Sequence, residues 1–403
     1  MQLPLKKFIA VMLLLSGTLA WFFLLNYHLN DIFSGLMQND PLWTFYNLGS
    51  VIFYGTAILS AITVSFFTHI LNRTKFLAIW IALGVFATVS LILFQGTPLI
   101  ALSSLLLGIS LGLGLPSSMA FLADCTVIEE RARISGLIIL ATFIIAFATI
   151  AGIGFLQLDF TTYILLFAAV RGISFLALFF DKCDGKELKE APSRVFKGAF
   201  REFLFYLTPW IMFCIAAGLA SNLVPQSDNY ASAVTLGTAL RYVFIALFGL
   251  IAGIIADRIG RKPPIIIALI MLGISFGLLG FAMSPLTVLI YLASTGIAWG
   301  LLFVVFLAVP GDLSQKGSRE KFYGIGYISP LAILFALTAI PGIAIFSDFP
   351  ASSFSQILSI ILFVAIIPVL RAKETLPQKK IEERKMKTHL KKIEEIIRDS
   401  SEG

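Results

Sequence analysis

Charged residues are scarce in this sequence. They make up 13% of its 403 residues, against about a quarter in an average soluble domain, while 58% of the residues are apolar. Two blocks contain no Asp, Glu, Lys or Arg: 48 residues between Lys75 and Asp124, and 49 residues between Lys262 and Asp312. A bilayer span needs about 20 apolar residues, so each block is long enough for two spans and a turn. The scarcity of charge excludes a soluble globular protein and predicts an integral membrane protein.

Residues that carry enzyme chemistry or bind metals are also few. The sequence has three histidines and three cysteines, and it has neither a His-Glu-x-x-His motif nor a Gly-rich loop ending in Gly-Lys-Ser/Thr. We therefore expect no enzyme activity, no cofactor, no metal site and no ATP-driven motor. Cys125 and Cys183 fall in predicted cytoplasmic connections and Cys214 falls inside a predicted helix, so we expect no disulfide.

The apolar runs are continuous and lack the two-residue alternation of a membrane barrel, so they predict helices. The first run, preceded by Lys6 and Lys7, also has the outline of a signal peptide, but it is longer than an ordinary one. The predicted fold is all-α, with twelve transmembrane helices at residues 8–28, 43–67, 76–94, 99–121, 134–156, 160–180, 203–225, 233–256, 264–282, 287–309, 322–346 and 352–370.

The basic residues predict the orientation of these helices. Of the 30 Lys and Arg, 28 fall at the termini or in connections that follow even-numbered helices. Basic residues concentrate on the cytoplasmic side of membrane proteins, so both termini are expected in the cytoplasm. The net charge of +7 then reflects topology and not nucleic-acid binding. We expect a monomeric, multi-pass protein of the plasma membrane that contacts lipid and has no nucleic-acid partner.

An internal repeat of 188 residues supports the twelve-helix map. This offset aligns Asp124 with Asp312, Arg131 with Arg319, and the two charge-free blocks with each other. Six helices per repeat place both halves in the same orientation, so the halves are parallel repeats. The predicted domains are two six-helix bundles at 1–180 and 203–370, a cytoplasmic linker at 181–202 and a charged tail at 371–403.

The tail is predicted to be helical. Its apolar residues Met386, Leu390, Ile393 and Ile397 recur at intervals of four, three and four. Two interpretations stay open: a solubilising segment near anionic headgroups, or a handle for a partner.

These features resemble the major facilitator superfamily of secondary transporters, over residues 8–370. The signature loop of that family between helices 8 and 9 has Gly, three residues, Asp, a basic residue, any residue, Gly, Arg and a basic residue. It is met here by Gly253, Asp257, Arg258, Gly260, Arg261 and Lys262. The connection between helices 4 and 5 is also similar to the family, with Asp124, Glu129, Glu130, Arg131, Arg133 and Gly136.

The resemblance implies that Asp257 ties the cytoplasmic ends of the two halves together. Carboxylates are stabilised at helix N-termini, so the start of helix 5 near Arg131 and Arg133 is the expected partner. Gly253 would allow a close helix approach, and Gly260 a tight turn. The alternative is a positive-inside anchor with no gating role. The candidate gate comprises Gly253, Asp257, Arg258, Gly260, Arg261, Lys262, Asp124, Arg131, Asp312 and Arg319.

Two basic residues, Arg171 in helix 6 and Arg241 in helix 8, lie within predicted spans. A charge there costs about 2.5 to 3.5 kcal/mol on insertion scales, so its presence indicates a function or a specific partner. Helix 8 borders the central cavity in the family, which favours Arg241 as a substrate residue, whereas a structural role is favoured for Arg171. The substrate or coupling candidates are Arg241, Thr238, Trp21, His28, Asp31, Asn222, Trp299 and Arg171.

The predicted function is secondary transport of a small solute by alternating access, driven by a gradient or by simple facilitation. Arg241 favours an organic anion as the substrate, and a coupling proton or ion stays open. One alternative is an efflux carrier for amphipathic compounds, since the sequence has 37 Phe. The other is a membrane sensor or scaffold that transports nothing.

Overall fold

A computed structural model describes residues 3–36, 47–67, 73–94, 96–180, 195–220, 223, 228–315, 317–339 and 350–377. Within these ranges, twelve helical segments are long and apolar enough to cross a membrane, which confirms the predicted number. The helices are α1 (Leu5–Leu36), α2 (Leu48–Phe67), α3 (Arg73–Leu93), α4 (Thr97–Cys125), α5 (Ile128–Leu156), α6 (Phe160–Phe180), α7 (Val195–Leu219), α8 (Asp228–Arg258), α9 (Lys262–Phe281), α10 (Pro285–Leu313), α11 (Arg319–Ala339), α12 (Ala351–Val364) and α13 (Ile366–Arg371).

The twelfth span consists of α12 and α13, which are separated by a break at Ala365. The break follows from Pro368, because a proline ring clashes with the carbonyl of the residue four positions earlier, here Val364. Pro368 also has no N–H to donate to that carbonyl. The span as a whole covers Ala351–Arg371, close to the predicted 352–370.

Helix packing repeats between the two halves. In the first half α2 packs against α4, α1 against α6 and α3 against α6. The second half has the same contacts six helices later, since α8 packs against α10, α7 against α12 and α13, and α9 against α12. The halves meet where α5 packs against α8 and α2 packs against α11, and the repeat relates these two contacts as well. The predicted fold of two parallel-repeat bundles is therefore confirmed.

The segments outside the bundles are described in part. α7 begins at Val195, inside the predicted linker 181–202, while residues 181–194 lie outside the described ranges. Residues 372–377 of the predicted tail are described and are not helical. Residues 378–403, including the predicted amphipathic stretch, lie outside the described ranges.

Candidate gate and substrate site

Charged side chains from both halves meet at one end of the helix bundles. This end, which we call the charged face, includes the start of α3, the α4–α5, α8–α9 and α10–α11 connections and residues 372–377. Three carboxylates, those of Asp257, Asp312 and Asp124, organise its contacts.

Asp257, near the end of α8, joins the second half to the first. Its carboxylate accepts hydrogen bonds from the backbone N–H groups of Ala132 (3.2 Å) and Arg133 (2.9 Å) in the second turn of α5. It also accepts from Arg133 Nε at 3.2 Å and from Arg261 Nη1 at 2.6 Å. Asp257 is fully buried, whereas the Arg133 side chain is 48% exposed, so the buried backbone bonds are the stronger link between the halves. The structure thus places Asp257 beside the predicted partner near the start of helix 5.

Glycines allow α5 and α8 to approach closely at this point. A Cβ at Gly253 would lie 2.5 Å from the carbonyl oxygen of Ala132, and one at Gly136 would lie 2.7 Å from the oxygen of Gly249. The predicted close approach at Gly253 is therefore present. Gly260, in the α8–α9 turn, has a φ of 126°, which L side chains rarely adopt.

Asp312, at the end of α10, forms the most buried ion pairs of the charged face. It accepts from Arg131 Nη1 at 2.6 Å and from Arg261 Nε at 2.9 Å, and all three side chains are at most 2% exposed. Burial disfavours the charged form of Arg261, but the carboxylates of Asp312 and Asp257 outweigh burial, and the pKa of Arg261 lies above its ordinary value. Arg131 comes from the first half, so Asp312 links the halves.

Asp124, at the end of α4, occupies the equivalent position in the first half. It pairs with Arg73 Nη1 at 2.5 Å and with Arg319, which belongs to the second half. Because Arg73 and Arg261 are also separated by 188 residues, the two aspartates have equivalent partners. Each binds one arginine of its own half and one of the other half. The Asp124 set is 13 to 24% exposed and hence better solvated than the Asp312 set.

Residues after α13 complete the charged face. Glu374 accepts from the backbone N–H of Arg261 (2.7 Å) and of Lys262 (3.2 Å) at the start of α9. The first N–H groups of a helix have no partner within the helix. Pro263 and Pro264, which follow, have no N–H, so Glu374 accepts from the N–H groups of Arg261 and Lys262 that need a partner. Thr375 Oγ1 donates to Asp312 at 3.0 Å. Arg73, Glu374 and Thr375 are not among the residues predicted from the sequence, although the 188-residue offset from Arg261 points to Arg73.

The other two residues of the predicted signature loop differ in their surroundings. Lys262 Nζ donates to the carbonyl oxygens of Leu370 (3.0 Å) and Ala372 (2.8 Å) at the end of the last helix. Arg258 is exposed.

Arg171 and Trp21 lie together inside the first half. The Arg171 guanidinium is 4.0 Å from the centre of the Trp80 ring and 5.2 Å from that of Trp21, and its Nη1 donates to Thr18 Oγ1 at 2.7 Å. Trp21 Nε1 donates to Thr88 Oγ1 at 2.9 Å. Both Arg171 and Trp21 are fully buried. Trp21 is predicted as a substrate or coupling residue, and the structure places its ring and its N–H in contact with its own half.

Arg241 lies midway along α8, partly buried, with its guanidinium 5.4 Å from the centre of the Tyr242 ring. Its Nε is buried and has no hydrogen-bond partner among the described residues. Thr238, one turn away, is also partly buried. A buried, unpaired donor of a charged group is costly. The Arg171 Nε is unpaired too, but two tryptophan rings of its own half enclose that guanidinium, so Arg241 is the stronger candidate for a ligand contact.

Aromatic side chains of both halves meet at the level of Arg241. Tyr242 contacts Phe143 and Tyr27 of the first half, with both ring-centre distances at 6.1 Å. Phe23 contacts Phe143 at 4.7 Å and Phe303 of the second half at 5.9 Å. We call these five residues the aromatic layer. The aromatic layer is not predicted from the sequence, because aromatic residues are spread over the predicted spans.

Trp299 is partly buried and packs within the second half, with ring-centre distances of 5.7 Å to Trp210 and 4.8 Å to Phe213. It is therefore next to the aromatic layer through Phe303, at 6.4 Å, and not part of the contact between the halves.

His28 lies among aromatic rings near the end of α1 that is remote from the charged face. Its ring centre is 4.8 Å from that of Tyr27 and 5.6 Å from that of Phe167, and its Nε2 is buried without a partner among the described residues. Asp31 is exposed on the next turn. Asn222 lies outside the described residues.

Comparison with known proteins agrees with this architecture. Residues 210–401 match the family model of the Major Facilitator Superfamily. The fold is similar to that of the human organic anion transporter MFSD10 (TETRAN), with a TM-score of 0.67 and 17% identity, covering 91% of this chain and 100% of that chain. It is also similar to the proton:xylose symporter XylE, with a TM-score of 0.67 and 14% identity, covering 94% of this chain and 98% of that chain.

A third similar structure is a bacterial homologue of the iron transporter ferroportin in an outward-facing state, with a TM-score of 0.62 and 15% identity, covering 91% of this chain and 98% of that chain. No curated protein matches the sequence. The family model thus matches the second part of the chain, and the twelve-helix fold is similar to that of the major facilitator superfamily symporter XylE.

Proposed function

We propose that the protein is a secondary transporter that moves a small organic anion by alternating access. In this mechanism the two six-helix bundles rock about a central site and open it to one side of the membrane at a time. The structure then represents the state that is closed at the charged face.

The observation that carries the alternating-access proposal is the reciprocal pairing of Asp124 and Asp312 with arginines of opposite halves. Ion pairs and backbone bonds across the α5–α8 contact hold the charged face shut, and every cross-half bond there breaks if the bundles separate. A static sensor or scaffold has no need of such a set. A ligand shifts the balance between the two states only through different affinities for them.

The choice of an anion is supported by Arg241. It lies 16 residues before Asp257 on the same helix, which places it about 24 Å from the charged face and near the middle of the bilayer. Its Nε has no hydrogen-bond partner among the described residues, and its guanidinium lies beside Tyr242 of the aromatic layer. The rival proposal, export of amphipathic compounds, is favoured by the aromatic layer itself.

We further propose that the charged face lies in the cytoplasm and that the protein resides in the plasma membrane. The distribution of Lys and Arg supports this orientation.

The test is flux into proteoliposomes, with and without a pH gradient, comparing organic anions with lipophilic cations. Arg241→Gln is expected to abolish anion flux, and Arg241→Lys to retain part of it. Arg201→Gln removes an exposed arginine of α7 that belongs to neither proposed site and serves as the control, with flux unchanged. Transport of lipophilic cations that survives in Arg241→Gln would support the export proposal and exclude the anion. A pH-gradient dependence of the flux would identify proton coupling.

A further inference from the structure

We propose that the transported anion is an aromatic monoanion, whose ring packs on the aromatic layer while its single negative charge pairs with Arg241. The inference rests on the proposed anion transport and specifies the substrate class of that site.

The charge of the ligand follows from the charge of the site. Arg171 and Arg241 are the two basic residues inside the predicted spans. Arg171 is enclosed by its own half, where two tryptophan rings and Thr18 surround its guanidinium. Arg241 therefore supplies the one positive charge at the central site. No Asp or Glu lies in the middle of any predicted span to oppose it. One cation without a second partner is matched by one negative charge.

The ring of the ligand follows from what surrounds Arg241. The guanidinium lies against the Tyr242 ring, and Tyr242 in turn contacts two aromatic residues of the other half. The ring of a carboxylate or sulfonate bound to Arg241 would thus lie close to the Tyr242 ring, whose centre is 5.4 Å from the guanidinium. Contact with an aromatic ring should raise the binding constant of an aromatic ligand over that of an aliphatic ligand of equal area by a factor of roughly three to ten.

Tyr27 identifies the part of the aromatic layer that a ligand can reach. It is 46% exposed although it touches Tyr242 of the opposite half. A ring that bridges two bundles and remains half-exposed lines the space between them. Tyr27 and Tyr242 are in edge-to-face contact, with an interplanar angle of 74°, and a flat ring that packs beside this pair would contact both halves.

The experiment uses permanently charged probes, so that leakage of a neutral acid through the lipid does not contribute. Flux of benzenesulfonate is compared with that of cyclohexanesulfonate, which has the same charge and nearly the same size, and with that of benzene-1,3-disulfonate. The full-length protein is reconstituted as the wild type and as Tyr27→Leu and Tyr27→Phe. Tyr230→Leu is the matched control, because Tyr230 lies on α8 but donates to Met283 O within the second half.

We expect roughly three- to tenfold faster uptake of benzenesulfonate than of cyclohexanesulfonate in the wild type, and little uptake of the disulfonate. Tyr27→Leu should remove the preference for the ring without removing cyclohexanesulfonate uptake, whereas Tyr27→Phe and Tyr230→Leu should keep it. Equal uptake of the two monosulfonates by the wild type overturns the inference and leaves the proposed anion transport intact. Uptake of tetrabutylammonium with no uptake of any sulfonate overturns both. The comparison within the wild type does not depend on the folding of any variant.

Discussion

Replacing Asp257 with asparagine should open the charged face. The two backbone bonds from Ala132 and Arg133 exist only while α5 and α8 are in contact. The uncharged amide side chain of Asp257→Asn would have one oxygen to offer to these donors, and its NH2 group would face the other. Arg261, by contrast, would keep Asp312 as a partner. The loss therefore falls mainly on the link between the halves.

The size of the effect follows from those bonds. A hydrogen bond to a charged group contributes about 1.5 to 3 kcal/mol. Since the amide can replace one of the two backbone bonds, we expect the closed state to lose about 2 kcal/mol relative to the open state. Because 1.4 kcal/mol is a factor of ten, the open population should rise about 30-fold.

The assay is alkylation of a thiol that only the open state exposes. Ala256, next to Asp257 on α8, is fully buried. Ala256→Cys is introduced after the three native cysteines are replaced, and the rate of reaction with a charged maleimide is measured in reconstituted protein. Asp257→Asn should accelerate the reaction about 30-fold, and the exposed-site control Arg201→Gln on α7 should leave it unchanged. A rate within twofold of the parent in Asp257→Asn would refute the gating role of Asp257.

Three further variants address other contacts. Gly253→Ala forces a methyl group against the backbone of α5, and we expect a loss of about 1 to 3 kcal/mol from the closed state and faster alkylation at position 256. Glu374→Ala leaves the first donors of α9 without a carboxylate, and because both partners belong to the second half, a loss of about 1 to 3 kcal/mol should lower the thermal unfolding midpoint in detergent. Trp80→Ala removes the nearer ring beside Arg171, and a loss of about 3 to 5 kcal/mol should lower the thermal unfolding midpoint in detergent.

Each of these variants has its own control. Gly152→Ala adds the same methyl group where no atom lies within 4 Å, so its alkylation rate should equal that of the parent. An equally slow reaction in Gly253→Ala would contradict the close approach of α5 and α8. Glu374→Gln keeps one acceptor and should fall between the parent and Glu374→Ala. An unchanged unfolding midpoint in Trp80→Ala would show that the ring does not stabilise the Arg171 guanidinium.

Hydropathy predicts where the helices cross but not where they end. The apolar part of the first helix is predicted at 8–28, whereas α1 runs from Leu5 to Leu36. Hydropathy reports the segment that lies in hydrocarbon, and a helix continues into water when neither Gly nor Pro stops it. Asn30 and Asp31 are polar but compatible with a helix, so the chain remains helical beyond the apolar run.

The sequence predicts which residues form the gate but not which of them pair with each other. The loop motif identifies Asp257, and the repeat identifies Asp312 and its counterpart in the first half. The exchange of arginines between the halves is not visible in the sequence, because Arg131 and Asp312 are 181 residues apart and only the packing of α5 on the second half brings them together. Glu374 is missed for the same reason, since its contacts with the α8–α9 turn span more than one hundred residues.

The structure distinguishes Trp21 and Arg171 from Arg241 as candidates for ligand contacts inside the membrane. Trp21 and Arg171 are independent candidates for ligand contacts in the sequence, yet each helps to satisfy the other inside one bundle. Periodicity shows which residues share a helix face but not which helix covers that face. Both arginines have a buried Nε without a partner among the described residues, but the Arg241 guanidinium lies beside Tyr242, whose ring contacts the other half.

Because each half provides an arginine to the aspartate of the other half, neither bundle alone can pair all the charged groups at its charged face. If the two halves were made as separate polypeptides, the aspartate of each would pair with one arginine of its own half. A second arginine of each half would lack the aspartate of the other half as a partner. Fragments produced in the same cell should therefore associate, because each provides an arginine for the aspartate of the other. A fragment produced alone should have, at the same end, a carboxylate with an unfilled binding position and an arginine without its carboxylate.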